Sequence, residues 1–208
     1  MYYKSFLRFY SLRKVMQNKI ASLLAICITI LILQGCTAAV VGGAAATAAV
    51  AHDRRTTGTI VEDQSIELKV YDSMANDARF KQQSSIHVTS YNLVVLLTGQ
   101  AADQALRSKA EQLASSIDRV RRVVNEIEIG STSTLVENSR DVALTTEVKL
   151  RLAKVRIPDF DPLRVKVVTE RGTVFLLGLI TKQEADAVTD VVRHISGVRR
   201  VVRVFEYI

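Results

Sequence analysis

Val120-Arg121-Arg122-Val123-Val124 recurs as Val198-Arg199-Arg200-Val201-Val202, and each copy runs into an apolar-acid-apolar ending, Ile127-Glu128-Ile129 and Phe205-Glu206-Tyr207-Ile208. Self-similarity at a long fixed spacing is the mark of repeated structural units. Upstream, residues 86–99 match residues 165–178, with Ile86, Val88, Val95, Leu97 and Gly99 facing Val165, Val167, Val174, Leu176 and Gly178. Glu67-Leu68-Lys69-Val70 pairs with Glu147-Val148-Lys149-Leu150. The spacing is 78–80 residues, so the second half of the chain is a rewritten copy of the first.

Each copy predicts the same order of elements. Asp63 reads as the N-cap of a helix running to Met74, and Ser139 as that of a helix from Asp141 to Val155. A strand pair follows, residues 86–90 with 93–98 and residues 163–169 with 173–177. The second pair turns at Glu170-Arg171-Gly172, where glycine supplies positive φ, and the first turns near Tyr91-Asn92. A second helix opens in copy two with the capping box Thr181-Lys182-Gln183-Glu184. Ala185, Val188, Val191, Val192 and Ile195 line one face of it, as Leu106, Ala110, Leu113 and Ile117 do in copy one. Residues 123–129 and 201–207 form the closing strands. The predicted fold is α+β, two tandem αββαβ units, each a three-stranded sheet with two helices on one face. The units span residues 62–130 and 139–208, joined by a linker at 131–138.

The region before the repeats has a different character. Residues 20–33 are almost wholly apolar, preceded by Lys4, Arg8, Arg13, Lys14 and Lys19 and by no acid. That is a secretory signal, shorter than a comfortable bilayer span. It ends Leu33-Gln34-Gly35-Cys36, which resembles a bacterial lipobox. The resemblance implies cleavage of residues 1–35, an S-diacylglycerol on the Cys36 thiol and an N-palmitoyl group on its new amine. Thr37 follows in place of the aspartate of an inner-membrane retention signal, which favours the outer membrane. Translation starts at Met1 or at Met16; residues 16–35 alone make a compact signal. Residues 36–61 read as the lipidated cysteine and a tether, on the order of 80 Å when fully extended.

Loss of the signal removes five of the 28 basic side chains and none of the 21 acidic ones, so the formal charge falls from +7 to +2. The basic balance therefore gives no argument for nucleic acid. Cys27 leaves with the signal and Cys36 is lipidated, so core packing alone must hold the exported part together.

The αββαβ repeat, its glycine-containing strand ends (Leu97-Thr98-Gly99 and Leu177-Gly178) and its Val-Arg-Arg-Val-Val strands resemble the BON domain. Two such units behind a lipobox and a short tether resemble the dual-BON outer-membrane lipoproteins of Gram-negative bacteria. Asp118-Arg119 stands where copy two has Ser196-Gly197, so copy one is the more divergent. The resemblance implies a non-enzymatic, lipid-anchored, periplasm-facing protein. It implies association with anionic phospholipid through the second unit, and maintenance of the envelope, including at division sites.

The residues themselves suggest no active site. His52, His87 and His194 are dispersed, and no HExxH, CxxC, G-x-S-x-G or P-loop spacing occurs. Asp159 and Asp161 read as a plain acidic turn. The expectation is no metal, no cofactor, no small-molecule substrate and no nucleic acid. The first helix of copy two is the one unusual surface. Leu144, Val148, Leu152 and Val155 make its core stripe, Leu150 points the other way, and Arg140, Lys149, Arg151, Lys154 and Arg156 outnumber Asp141 and Glu147. Such a helix suits an anionic bilayer. The competing expectation is an adaptor whose sheets recruit envelope-assembly, cell-wall or division proteins.

Overall fold

The computed structural model describes residues 53–208, which belong to one compact unit, so the signal, the lipobox and Cys36 lie outside the described residues. The first repeat contains α1 (Thr57–Ala75), a short α2 (Ala78–Gln83), β1 (Ser84–Tyr91), β2 (Val94–Ala101), α3 (Gln104–Ser115), β3 (Arg122–Asn125) and β4 (Glu128–Ile129). The second contains α4 (Leu135–Leu152), a 3-10 turn (Pro162–Arg164), β5 (Lys166–Glu170), β6 (Thr173–Ile180), α5 (Lys182–Arg193) and β7 (Arg200–Tyr207). The predicted α+β tandem is therefore present, with α2 as an addition and the last strand of the first repeat in two pieces. In each sheet the first two strands are an antiparallel hairpin, and the third runs parallel to the central strand after a helical crossover.

Alternation along the central strands explains the core. Val95 and Leu97 join Ile66, Val70, Leu106 and Ala110 beneath the helices of the first repeat. Val174, Leu176 and Ile180 join Val148, Leu152, Ala185, Val188 and Val192 in the second. The opposite faces of the two sheets cover each other. Tyr91, Val94 and Leu96 pack with Phe175, Leu177 and Val204 in a third apolar cluster that belongs to both repeats. Arg121–Glu206 (2.7 Å), Arg200–Glu126 (2.6 Å) and Lys166–Glu67 (3.2 Å) cross between the repeats around this contact. These partly exposed pairs contribute little energy and chiefly fix register. Two arginines of the repeated strand motif thus have a structural assignment.

Both first helices begin earlier than the N-cap assignments at Asp63 and Ser139 predict. Thr56 caps α1, and Thr134 caps α4 through a complete capping box with Glu137. Asp63 is instead a buried mid-helix residue with another task. Its carboxylate accepts from the Asn92 and Leu93 backbone amides (2.8 Å each) and from Ser90 Oγ (2.7 Å). Asp141, 78 residues on, accepts from Arg171 N (2.7 Å) and Gly172 N (2.9 Å). Each hairpin closes with two residues at positive φ, Asn92 and Leu93 (51° and 65°) or Arg171 and Gly172 (47° and 74°). This is a tight primed turn, and Leu93 rather than glycine occupies its second position. The first turn is accordingly Asn92-Leu93, one residue beyond the expected Tyr91-Asn92. The buried faces also align the helices at an offset of 78, Val70 on Val148, rather than the 80 implied by Glu67 and Glu147.

Gly99 and Gly178 allow a close backbone crossing. A Cβ on Gly99 would lie 2.0 Å from the Ser85 carbonyl oxygen, and one on Gly178 2.7 Å from that of Arg164. The shared glycine of the repeat is a steric requirement.

Two outcomes follow from this packing. Phe175→Ala should lower stability by about 3–5 kcal/mol and split one thermal transition into two; a single transition at the original midpoint in calorimetry would contradict the shared core. Asp141→Ala, which orphans two turn amides, should cost on the order of 1–3 kcal/mol for each group left unsatisfied, read from denaturant unfolding.

Candidate functional site

The sheets face inward, so the helices form the outer surface, and α4 is the most unusual of them. Its inner face carries Asp141, Val148 and Leu152, with Leu144 half-buried beside them. At 100° per residue the outward face collects Leu135, Ser139, Val142, Ala143, Thr146 and Leu150. Leu135 is 86% exposed, Val142 68%, Val136 60% and Leu150 56%. Arg140 and Arg151 flank this stripe on one side and Lys149 on the other; Lys154 and Arg156 follow in the exposed segment after the helix.

The acids that dilute this charge in the sequence are already engaged. Asp141 serves the hairpin turn, Glu147 bonds Arg151 at 2.6 Å, and Glu137 closes the cap. The Glu137 carboxyl is held below its ordinary value chiefly by the Thr134 backbone amide. Arg140, Lys149, Lys154 and Arg156 make no ion pair among the described residues, so of the five predicted cations only Arg151 is in one, while the Arg140 charge also helps lower the Glu137 carboxyl. Leu150 is exposed. The sequence reading missed Leu135, Val136 and Val142, because it placed them in the linker or at the start of the helix. The signal that finds them is Thr134-x-x-Glu137, a capping box three residues inside that linker.

Aromatic substitutes for a membrane-anchoring tryptophan are not on this face. Phe80 is buried, Phe160 packs against the second core, and the Tyr71 hydroxyl accepts from Val88 N on the first repeat. Asp161 caps the 3-10 turn by accepting from Leu163 N (2.8 Å). Among the described residues, no group of three or more His, Cys, Asp or Glu is arranged to hold a metal.

The chain preceding α1 is docked where the sequence predicts a tether. Arg54 makes a bidentate contact with Glu184 (2.7 and 3.0 Å), the capping-box acid of α5. Arg55 bonds Asp53 and Asp63 (2.7 Å each) and stacks 3.7 Å from the Tyr91 ring centroid. The segment therefore ties α1 of the first repeat to α5 of the second. Burial, followed by the Asp53 charge, pushes the Tyr91 phenol up to about 12. Burial alone would raise Glu184 and Asp53; for Glu184 the Arg54 hydrogen bond and charge together with the Thr181 bonds more than offset it, and for Asp53 the hydrogen bonds and charge of Arg55 with the Tyr91 hydroxyl do, leaving both carboxyls below their ordinary values. Between Cys36 and this docked root lie residues 37–52, which can reach at most on the order of 50 Å.

The BON domain profile matches residues 62–131 and 140–208. The chain belongs to the BON-domain family. Over 179 residues it is 40% identical to outer membrane lipoprotein DolP of Haemophilus influenzae, covering 85% of this chain and 90% of that one. It is 35% identical over 156 residues to a 21 kDa hemolysin of Actinobacillus pleuropneumoniae, with 75% and 79% covered. Osmotically-inducible protein Y of Escherichia coli is 28% identical over 148 residues, with 69% and 72% covered. The protein is an outer-membrane lipoprotein with two BON domains.

The tether root gives a pH dependence. A carboxyl depressed in the folded state stabilises above its unfolded value, here 4.5 for Glu184 and 3.8 for Asp53, and that stability is lost as pH falls through the lower folded value. The thermal midpoint should be level from pH 7 to about pH 5 and fall below that. Arg54→Ala should reduce the Glu184 part of the decline, the Thr181 bonds remaining; an unchanged acid profile in that variant would contradict the contact.

Proposed function

We propose that this BON-domain protein is a non-enzymatic, lipid-anchored binding module. Acylated Cys36 holds it at the inner leaflet of the outer membrane, and α4 of the second repeat engages anionic phospholipid. Through that contact it helps maintain the envelope, with the division site as one place of action. The observation that carries the reading is the outward face of α4, where Leu135, Val142 and Leu150 stand exposed beside Arg140 and Lys149, with Lys154 and Arg156 in the segment that follows, none of the four in an ion pair among the described residues.

Magnitudes assign separate roles to anchor and helix. Each buried acyl methylene contributes about 0.8 kcal/mol, so chains on one cysteine dominate retention. A cation near an anionic surface contributes about 1 kcal/mol, so Arg140 and Lys149 of α4, with Lys154 and Arg156 just beyond it, together orient the body and select the lipid. The sheet faces of the two repeats are buried against each other in the shared cluster, so a protein adaptor would have to recruit its partners through another surface.

Residues 37–208 retain all three apolar clusters and are the natural material for a test. They should sediment with vesicles containing phosphatidylglycerol and much less with phosphatidylcholine alone. Changing Arg140, Lys149 and Lys154 together to Glu should weaken binding about a hundredfold, from roughly 1 kcal/mol per cation, and Leu150→Ser should weaken it without lowering the thermal midpoint. Equal binding to both vesicle types, or no effect of the triple change, would refute the reading.

A further inference from the structure

The two repeats differ at one place where packing does not require it. In the first, the loop before β3 carries Arg119 at φ 68°, and its guanidinium lies 3.0 Å from Glu62 on α1. An internal ion pair thus bridges the loop and the helix. The second repeat has Gly197 in place of Arg119, Gly172 in place of Leu93, and Arg140 in place of Glu62. A groove of about 540 Å³ opens there between α4, the hairpin turn and the loop leading into β7. Half-buried Leu144 and Ala143 line it, with Arg140, Arg171 and Arg199.

The charge of the groove is unbalanced in a specific way. Its carboxylates, Glu137, Asp141 and Glu147, are all held by partners already described. Arg171 is shared between Glu128 (3.6 Å) and Glu137 (3.9 Å). Arg140 and Arg199 have no ion-pair partner among the described residues, whereas their counterparts Glu62 and Arg121 are both paired. Countercharge at these positions of the first repeat comes from within the protein, and the second has no ion pair there among the described residues. The groove borders the same helix whose outer face bears the apolar stripe.

We propose that this groove receives the phosphodiester headgroup of one anionic glycerophospholipid, with Arg140 and Arg199 binding the phosphate and the Leu144 wall meeting the glycerol. This rests on the bilayer-facing reading of α4 and adds a discrete, saturable headgroup site to it. Guanidinium groups suit a phosphate because they offer paired donors in a planar fork.

The test is an amide chemical-shift titration of residues 37–208 with dihexanoylphosphatidylglycerol kept below its micelle concentration. Saturable shifts should appear at Arg171, Gly172, Gly197 and Arg199, with at least tenfold weaker binding of dihexanoylphosphatidylcholine and of inorganic phosphate. Gly197→Arg restores the residue that the first repeat carries at a similar backbone angle, and should abolish these shifts while vesicle binding persists. Arg199→Ala, which leaves the loop glycine in place, should weaken the titration at least tenfold. Shifts confined to Leu135, Val142 and Leu150, or an equal response to inorganic phosphate, would overturn the groove. Failure of the unaltered chain to bind phosphatidylglycerol vesicles would instead sink the membrane reading on which it rests.

Discussion

The burial of one sheet against the other organises everything else in the folded part. Each central strand is buried on both faces, one under its own helices and one against the other repeat. A three-stranded sheet of about 70 residues is close to the smallest size that holds a core alone. Sharing a third cluster lifts each repeat above that limit. The same contact sends all the main helices outward, which makes their outer faces the working surface of the protein.

On that surface, the two repeats have diverged in charge and apolarity while keeping their clamps. Asp63 and Asp141 do the same work at the same offset, holding a tight turn against a helix. The residues beside them differ: Glu62 is neutralised by Arg119, but Arg140 is left open. The first repeat thus pairs Glu62 and Arg119 internally, whereas Arg140 in the second has no ion-pair partner among the described residues; both first helices expose apolar side chains, Val61 and Leu68 in one and Leu135, Val142 and Leu150 in the other. The docked segment Asp53–Arg55 then ties α1 of the first repeat to α5 of the second.

The repeat, the element order and the helix-facing core were legible because strand and helix periodicities agree between copies. The sheet-to-sheet contact had a sign as well: Val94-Val95-Leu96-Leu97 and Val174-Phe175-Leu176-Leu177 do not alternate with polar residues, as strands wet on one side would. The helix starts were misplaced because aspartate and serine are good caps, and Asp63 and Ser139 stood nearest the apolar periodicity. Thr134 with Glu137 was the stronger signal. Leu93 at positive φ could not be foreseen from its own preference, since the turn is held by a carboxylate 30 residues earlier. The groove was visible only as Ser196-Gly197 against Asp118-Arg119; its meaning needed Glu62 and Arg140 to be placed in space.

The most direct test is where α4 sits when the protein meets lipid. A polarity-sensitive fluorophore on a cysteine replacing Val142, in residues 37–208, should shift to the blue and be quenched by bromine-labelled acyl chains when phosphatidylglycerol vesicles are added. The same probe replacing Leu68, exposed on α1 of the first repeat, should do neither. Quenching at Leu68 and not at Val142, or at neither site while the protein is bound, would contradict the account.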